Sequence, residues 1–365
     1  MKTAVVTTTI NVPKLLQGYA KSVRRYRHLD THFVVVGDKK TPSAAKSFCA
    51  RLEKRSGVPI HFFDLKQQED YLKKYPELNR RLPYNSIQRR NIGILFAYEK
   101  GAESIVTIDD DNFFIAGDFL GEHALPKEKV PLEVFSSGTG WLNVCGFLKE
   151  KNGFSFYHRG FPMKKRWLKE KLSSRKKSVK VVANAGFWLG DPDIDAITRL
   201  TLPVDVSEFK RRSNFALDIG TWSPFNSQNT ALSREVIPAY FLSPDVGRYD
   251  DIWASYVIKR IADHLGHYIS FGKPLVYQER NPHNYFKDYE KEKHGMALSD
   301  LFCDWLKSIR LKGSDYSKCY RELYLSLQKK LKAEKNLSPE EYSYLSDYIA
   351  GMADWQRTIE RAKRG

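Results

Sequence analysis

Short apolar runs alternate with amphipathic stretches over the first third of this chain. Thr3–Thr8, residues 32–36 and Ile60–Phe63 are rich in β-branched and aromatic residues and predict strands. Between them, residues 13–26 and 43–55 repeat apolar positions at helical spacing. Pro13 can open the first of these helices, and Thr41-Pro42 supplies a cap and a first-turn proline for the second. Asn85 or Ser86 caps a third helix that runs to about Lys100, with Ile92, Leu95 and Phe96 on one face. Ser104–Ile108 follows as a buried strand. Strands alternating with helices over such lengths predict an α/β fold with a doubly wound, mostly parallel sheet. From residue 296 onward the pattern becomes wholly helical, over 301–311, 316–332 and 339–361, and Ser338-Pro339-Glu340-Glu341 is a strong helix start. The expected organisation is a catalytic domain over 1–295 and a helical C-terminal region over 296–365. That region suits a lysine-rimmed bundle docked on the core, a dimer contact or an anionic surface.

Composition narrows the class. The chain has 365 residues, 42% hydrophobic and 13% aromatic, enough for a substantial core and too aromatic for a disordered chain. No stretch reaches the roughly 18 apolar residues of a membrane span. The chain enters a strand within its first residues and shows no signal-peptide core. Cys49, Cys145, Cys303 and Cys319 lack C-x-x-C spacing and read as reduced thiols of a cytoplasmic protein. The formal charge is +17, with clusters at 21–27, 80–90, 164–180 and 329–335. Nucleic acid is disfavoured as the partner, because no recognised binding motif is present and the charge is dispersed. An anionic sugar nucleotide, a polyanionic acceptor or peripheral contact with an anionic membrane each suits the charge.

The most informative chemistry follows the Ser104–Ile108 strand. Asp109, Asp110 and Asp111 emerge together at its C-terminal end, where open α/β sheets bind ligands. Adjacent carboxylates repel unless something positive sits among them. A divalent cation carrying a phosphate-rich ligand meets that need, since such ions commonly use one or two carboxylates plus substrate phosphates. An acidic turn capping the next segment is the alternative. No G-x-G-x-x-G follows the first strand and no P-loop is present, which argues against a dinucleotide oxidoreductase or a P-loop NTPase. Instead the first strand ends in Thr7-Thr8-Thr9 and the second reaches Asp38, offering hydroxyls and a carboxylate to a nucleoside, or ordinary turn chemistry.

The order Val5-Val6-Thr7-Thr8-Thr9-Ile10, Arg90-Asn91-Ile92-Gly93 and Ile108-Asp109-Asp110-Asp111-Asn112 resembles nucleotide-sugar glycosyltransferases of the GT-A fold. Four later segments narrow the resemblance to the plant reversibly glycosylated polypeptides, the UDP-arabinopyranose mutases. These are Arg159-Gly160-Phe161-Pro162 with Arg166, Trp188 to Ala196, Pro224 to Ala231, and Gly247-Arg248-Tyr249-Asp250-Asp251-Ile252-Trp253-Ala254. The first half also resembles the STELLO-type glycosyltransferase domain. The matches are colinear over roughly residues 3 to 285, and their shared order is more specific than any one of them.

The resemblance implies a UDP-sugar substrate and a Mn²⁺ or Mg²⁺ ion. It places Asp109 and Asp111 on the metal and diphosphate, and Asp110 near the ribose or sugar. Arg90, Asn91, Trp188 and Asn229 are expected on the nucleotide sugar, although a tryptophan is more often core. Asp250 and Asp251 take the acidic-pair position, as general base or electrostatic partner of the sugar, with an N-cap for a helix over 252–265 as the plain alternative. Arg159 matches the arginine that carries the sugar in the family and Arg166 a second required arginine; a phosphate clamp is the less demanding role for both. His283 is a further metal-ligand candidate, or a capping histidine. A metal-dependent glycosyltransferase leads, acting on a glycan, lipid-linked glycan or small-molecule acceptor. A self-glycosylating UDP-sugar mutase comes second, and a non-catalytic polyanion binder is a distant third.

Overall fold

The strands Thr3–Thr8, Thr31–Val36 and Ser104–Ile108 are buried along almost their whole length. Val5, Val34, Val35 and Ile105 are fully or almost fully buried, so these strands must be covered on both faces, as parallel strands are. A computed structural model describes residues 1–279 and 284–364. In it, β1 (Thr3–Thr8), β2 (Thr31–Val36), β3 (Ile60–Phe63) and β4 (Ser104–Ile108) are linked through α1 (Leu16–Arg25), α2 (Ala44–Ser56), α3 (Leu65–Leu72), α4 (Pro76–Arg81) and α5 (Arg90–Glu99). These four strands lie side by side in the order β3-β2-β1-β4, all parallel, the expected α/β arrangement.

Beyond β4 the sheet becomes mixed. The chain continues through β5 (Asn112–Phe114), α6 (Phe119–Glu122), β6 (Val130–Ser137), β7 (Leu148–Glu150), β8 (Leu172–Val179) and β9 (Val181–Gly190). It then forms α7 (Ala196–Thr201), β10 (Val206–Phe209), β11 (Phe215–Leu217), β12 (Asn229–Ser233), α8 (Asp250–Leu265) and β13 (Tyr268–Gln278). The strand order runs on from β4 as β12-β9-β13-β11-β6-β8. Because β12 is antiparallel to β4, with Asn229 opposite Ile108, the turn before β12 lies beside the end of β4.

The C-terminal helices are α9 (Tyr285–Ser308), α10 (Tyr316–Ala333) and α11 (Pro339–Ala362). Ser338 closes the expected capping box with Glu341. The helix α9 starts well before residue 296 and passes through residue 295 without a break. Its polar first half is held by Arg248, which pairs with Glu292 at 2.7 Å and Asp288 at 3.7 Å. These helices dock on the core rather than standing apart. Phe302 stacks on Trp253 with centroids 4.2 Å apart, Trp355 stacks on Phe241, and Arg81 of α4 reaches Asp354. All four cysteines are buried free thiols. No helix among the described residues is long and apolar enough to cross a membrane.

Candidate active site

Since β1, β2 and β4 are parallel, their C-terminal ends open on the same side. A cleft of about 680 Å³ lies there, lined by Thr8 and Thr9 at the end of β1, Asp38 after β2, and Asp109, Asp110 and Asp111 after β4. The turn with Ser227 and Gln228, the beginnings of α5 and α8, and Arg159, Asp193 and Arg248 complete the wall. Among the described residues the lining carries eight aspartates against five arginines and lysines, although the whole chain is strongly basic.

A continuous polar chain runs across the cleft wall. Arg90 begins α5, where the positive end of the helix dipole disfavours a cation, yet its side chain is fully buried. Its Nη2 donates to Asp109 Oδ1 at 2.5 Å, and its Nη1 donates to Ser227 O and Oγ at 3.0 and 2.8 Å. Burial alone would lower the Arg90 pKa, but Asp109 more than offsets it and the net direction is upward. Ser227 passes the network on: its backbone N and Oγ donate to Asp251 Oδ2 at 2.9 and 3.1 Å. Asp251 in turn accepts from Arg159 Nη2 at 3.1 Å. Arg159 then grips Asp193 through Nε and Nη2, at 2.8 and 3.0 Å, and its Nη1 donates to the Arg248 carbonyl. Burial opposes the charge on Arg159 as well, but Asp193 and Asp251 hold its pKa well above the ordinary value. Gly160 follows Arg159 with φ +78°, and a Cβ there would lie 2.2 Å from Ile252 Cγ2, so only glycine lets this arginine sit against α8.

Asp250 and Asp251 meet different surroundings. They occupy the first turn of α8, and Tyr249 stands at the cap with no side-chain capping bond. The N-cap role open to either aspartate is therefore not the one they take. Asp250 accepts from Gln88 Nε2 at 3.0 Å. Burial, reinforced by the negative charge of Asp251, pushes the Asp250 pKa up to about 7 despite the opposing pull of Arg159. Asp251 is instead ringed by donors from Ser227 and Arg159. A buried carboxyl raised toward neutrality suits acid–base work near neutral pH.

The other candidates divide between cleft and core. Asp110 accepts from Thr9 Oγ1 at 2.7 Å and Asn11 Nδ2 at 3.3 Å, and Asp38 accepts from Ser86 N at 2.9 Å. Four residues expected on the nucleotide sugar lie elsewhere. Thr7 is buried within β1 and Asn91 is buried with its Nδ2 on the Gln88 and Leu242 carbonyls. Asn229 is buried in β12, bonded to His123 and the Phe187 carbonyl, while Trp188 is core and donates to Gln228 Oε1. Strand alternation turns Thr7, Trp188 and Asn229 into the packed interior, and Asn91 lies on the buried face of α5. Arg166 is also outside the lining: it pairs with Asp195 at 2.8 Å and lies over the Tyr157 ring. His283 falls outside the described residues. Among the described residues no cluster of three metal-ligating side chains is assembled. The donors present at Asp109 and Asp111 are nonetheless hard oxygens, and two carboxylates are enough for an ion that also takes phosphate oxygens. Sequence reasoning missed Ser227, Asp193 and Gln88 as site residues. The first two lie within segments that carry the family resemblance, and Gln88 had no such signal.

An α/β sheet with an aspartate-rich cleft at its strand ends defines an α/β protein with a candidate small-molecule site. The chain belongs to the reversibly glycosylated polypeptide family, whose model matches residues 58–363. It is 29% identical to UDP-arabinopyranose mutase 3 of Arabidopsis thaliana over 69% of this chain and 66% of that protein. With UDP-arabinopyranose mutase 1 of the same plant it shares 29% identity over 62% of each chain. The chain thus spans slightly less than two thirds of the curated relatives it matches. Two solved structures are more distantly similar. The mannosyltransferase PcManGT from Pyrobaculum calidifontis, in complex with GDP-Man and Mn²⁺, shares 12% identity at a TM-score of 0.39, covering 100% of this chain and 75% of that one. TarS from S. aureus shares 11% identity at a TM-score of 0.35, covering 99% of this chain and 55% of that one.

Proposed function

We propose that the cleft binds a nucleoside-diphosphate sugar, a UDP-sugar first, and that the protein transfers the sugar to a hydroxyl acceptor. The observation that carries this reading is the gathering of Asp250 and Asp251 in one cleft with the aspartates after β4, Asp250 raised by burial and Asp251 ringed by donors. In the transfer step an acceptor hydroxyl oxygen bonds to the anomeric carbon as the bond to the diphosphate oxygen breaks. The bonding pair leaves with the diphosphate, and the hydroxyl proton passes to ionised Asp250. Asp251, Arg159 and Ser227 hold the neighbouring wall rigid and keep water from it. A divalent ion on Asp109 and Asp111 would neutralise the diphosphate as it departs; the excess of carboxylates in the lining suits such an ion, because it would otherwise repel that anion.

The relatives' names favour a second reading, in which another hydroxyl of the sugar bonds to its own anomeric carbon as the bond from that carbon to the ring oxygen breaks, the proton passes to that oxygen, and the diphosphate stays attached. A route through sugar carried on Arg159 is the least favoured, because each of its three nitrogens is already hydrogen-bonded. Incubating the protein with a panel of UDP-sugars, Mn²⁺ and no acceptor tests these readings. Slow UDP release supports transfer, and ring isomers without UDP release support the mutase. Inertness together with no UDP binding would sink both.

A further inference from the structure

The segment after Arg159 presents a surface that the chemistry above does not use. Trp167 is 86% exposed, and Leu168 and Leu172, within six residues of it, are 42% and 47% exposed. The other six tryptophans of the chain are all buried. Residues 164–177 hold eight lysines and arginines and one acid, Glu170; acids elsewhere pair with four of the eight, Asp300 with Lys165, Asp195 with Arg166, and Asp218 with Arg175 and Lys177. Lys164, Lys169, Lys171 and Lys176 are exposed. Glu170 does little to neutralise them: it accepts from the Asn143 backbone at 2.7 Å, and burial raises its pKa.

Three kinds of occupant can be weighed. A second copy pairing through β8, the last strand of the sheet, would set Arg175, Lys176 and Lys177 against the same charges, which opposes edge-to-edge association. A nucleic acid would use the cations, but Leu168 and Leu172 offer its bases nothing to stack on or hydrogen-bond. An acidic bilayer uses every part, because tryptophan and leucine enter the boundary between headgroups and acyl chains while lysines lie over anionic headgroups. We propose that the surface formed by residues 163–176 docks the protein on an anionic lipid membrane, with Trp167, Leu168 and Leu172 inserted. The proposal does not rest on the catalytic reading.

Sedimentation of the full chain with vesicles tests it, comparing pure phosphatidylcholine with a mixture holding about 30% phosphatidylserine. Binding is expected to the anionic vesicles only, and to weaken with salt. Brominated acyl chains should quench Trp167, the single exposed tryptophan. The double substitution Trp167→Ser with Leu172→Ser should lower vesicle binding on the order of tenfold or more, with an unchanged melting curve to show that it folds. Absence of binding to anionic vesicles, or equal binding by the folded double variant, would overturn the proposal. Retention on a poly(U) RNA matrix but not on vesicles would overturn it too, and would assign the surface to nucleic acid.

Discussion

Arg159 meets Asp193 through two parallel hydrogen bonds, Nε to Oδ1 at 2.8 Å and Nη2 to Oδ2 at 3.0 Å, and the same Nη2 also reaches Asp251. The planar fork thereby ties the loop after β9 to the first turn of α8. Asn226 Nδ2 adds a bond to Asp193 Oδ2 at 2.8 Å, so the turn before β12 is held to the same pair. The arginine acts here as a strut between segments far apart in sequence. Its conjugation to two carboxylates also makes it a poor nucleophile, since loss of a proton would leave two buried anions facing each other.

Arg159→Lys keeps the charge and loses the fork. With Asp193 and Asp251 both buried, stability should fall by about 2 kcal/mol, read from urea unfolding. Asp193→Asn should show a loss of similar size, and the double variant should lose less than the sum, because the two residues share one interaction. Additive losses would mean that the pair is not coupled.

If the sugar never rests on Arg159, intact-mass spectrometry after incubation with UDP-sugars should find the protein at its starting mass. A sugar-sized increase mapped to Arg159 would restore the self-glycosylating route.

Asp250 should make stability fall with rising pH. Its folded pKa of about 7 lies above the carboxylate range of the unfolded chain. Its contribution is therefore fully present below about pH 4 and lost as pH rises toward 7. Asp250→Asn, which mimics the protonated acid, should match wild type near pH 4 and be the more stable of the two at pH 8. Its turnover should fall by ~10²-fold if Asp250 handles the proton. An identical pH dependence of melting in both proteins would remove the electrostatic claim, and full turnover would remove the catalytic one.

The sequence made the parallel half of the sheet legible because buried strands write continuous apolar runs, and Ser338 with Glu341 marks a helix start locally. The mixed half was less readable. The pairings of β8 with β6 and of β9 with β12 join segments distant in sequence, and the exposed, charged β8 carries no core pattern. The beginning of α9 was missed for a similar reason, since Asp288 and Glu292 resemble surface residues until Arg248 is seen against them. At the site, the strand ends that bring Thr8, Asp38 and Asp109 together follow from topology. Trp188 and Asn229 sit in segments that carry the resemblance, but the alternation of β9 and β12 turns them into the core. Arg159 was read as a sugar carrier or a phosphate clamp, while its carboxylate partner Asp193 could only be found through the fold.

Among the aspartates after β4, Asp109 should carry a structural role beside its ligand role. Asp109 neutralises the buried Arg90, so Asp109→Asn should destabilise the protein by about 2–3 kcal/mol even without ligand, by leaving that cation uncompensated. Asp111→Ala should weaken UDP binding in the presence of Mn²⁺ by at least roughly tenfold, about 1.4 kcal/mol. Removing the metal with EDTA should weaken UDP binding to wild type and leave Asp111→Ala almost unaffected, because the variant has already lost what the ion contributes. Calorimetry with and without Mn²⁺ checks both arms. An affinity for UDP that ignores EDTA and survives Asp111→Ala would mean that the diphosphate is held without a cation, and the acidic lining would then need another explanation.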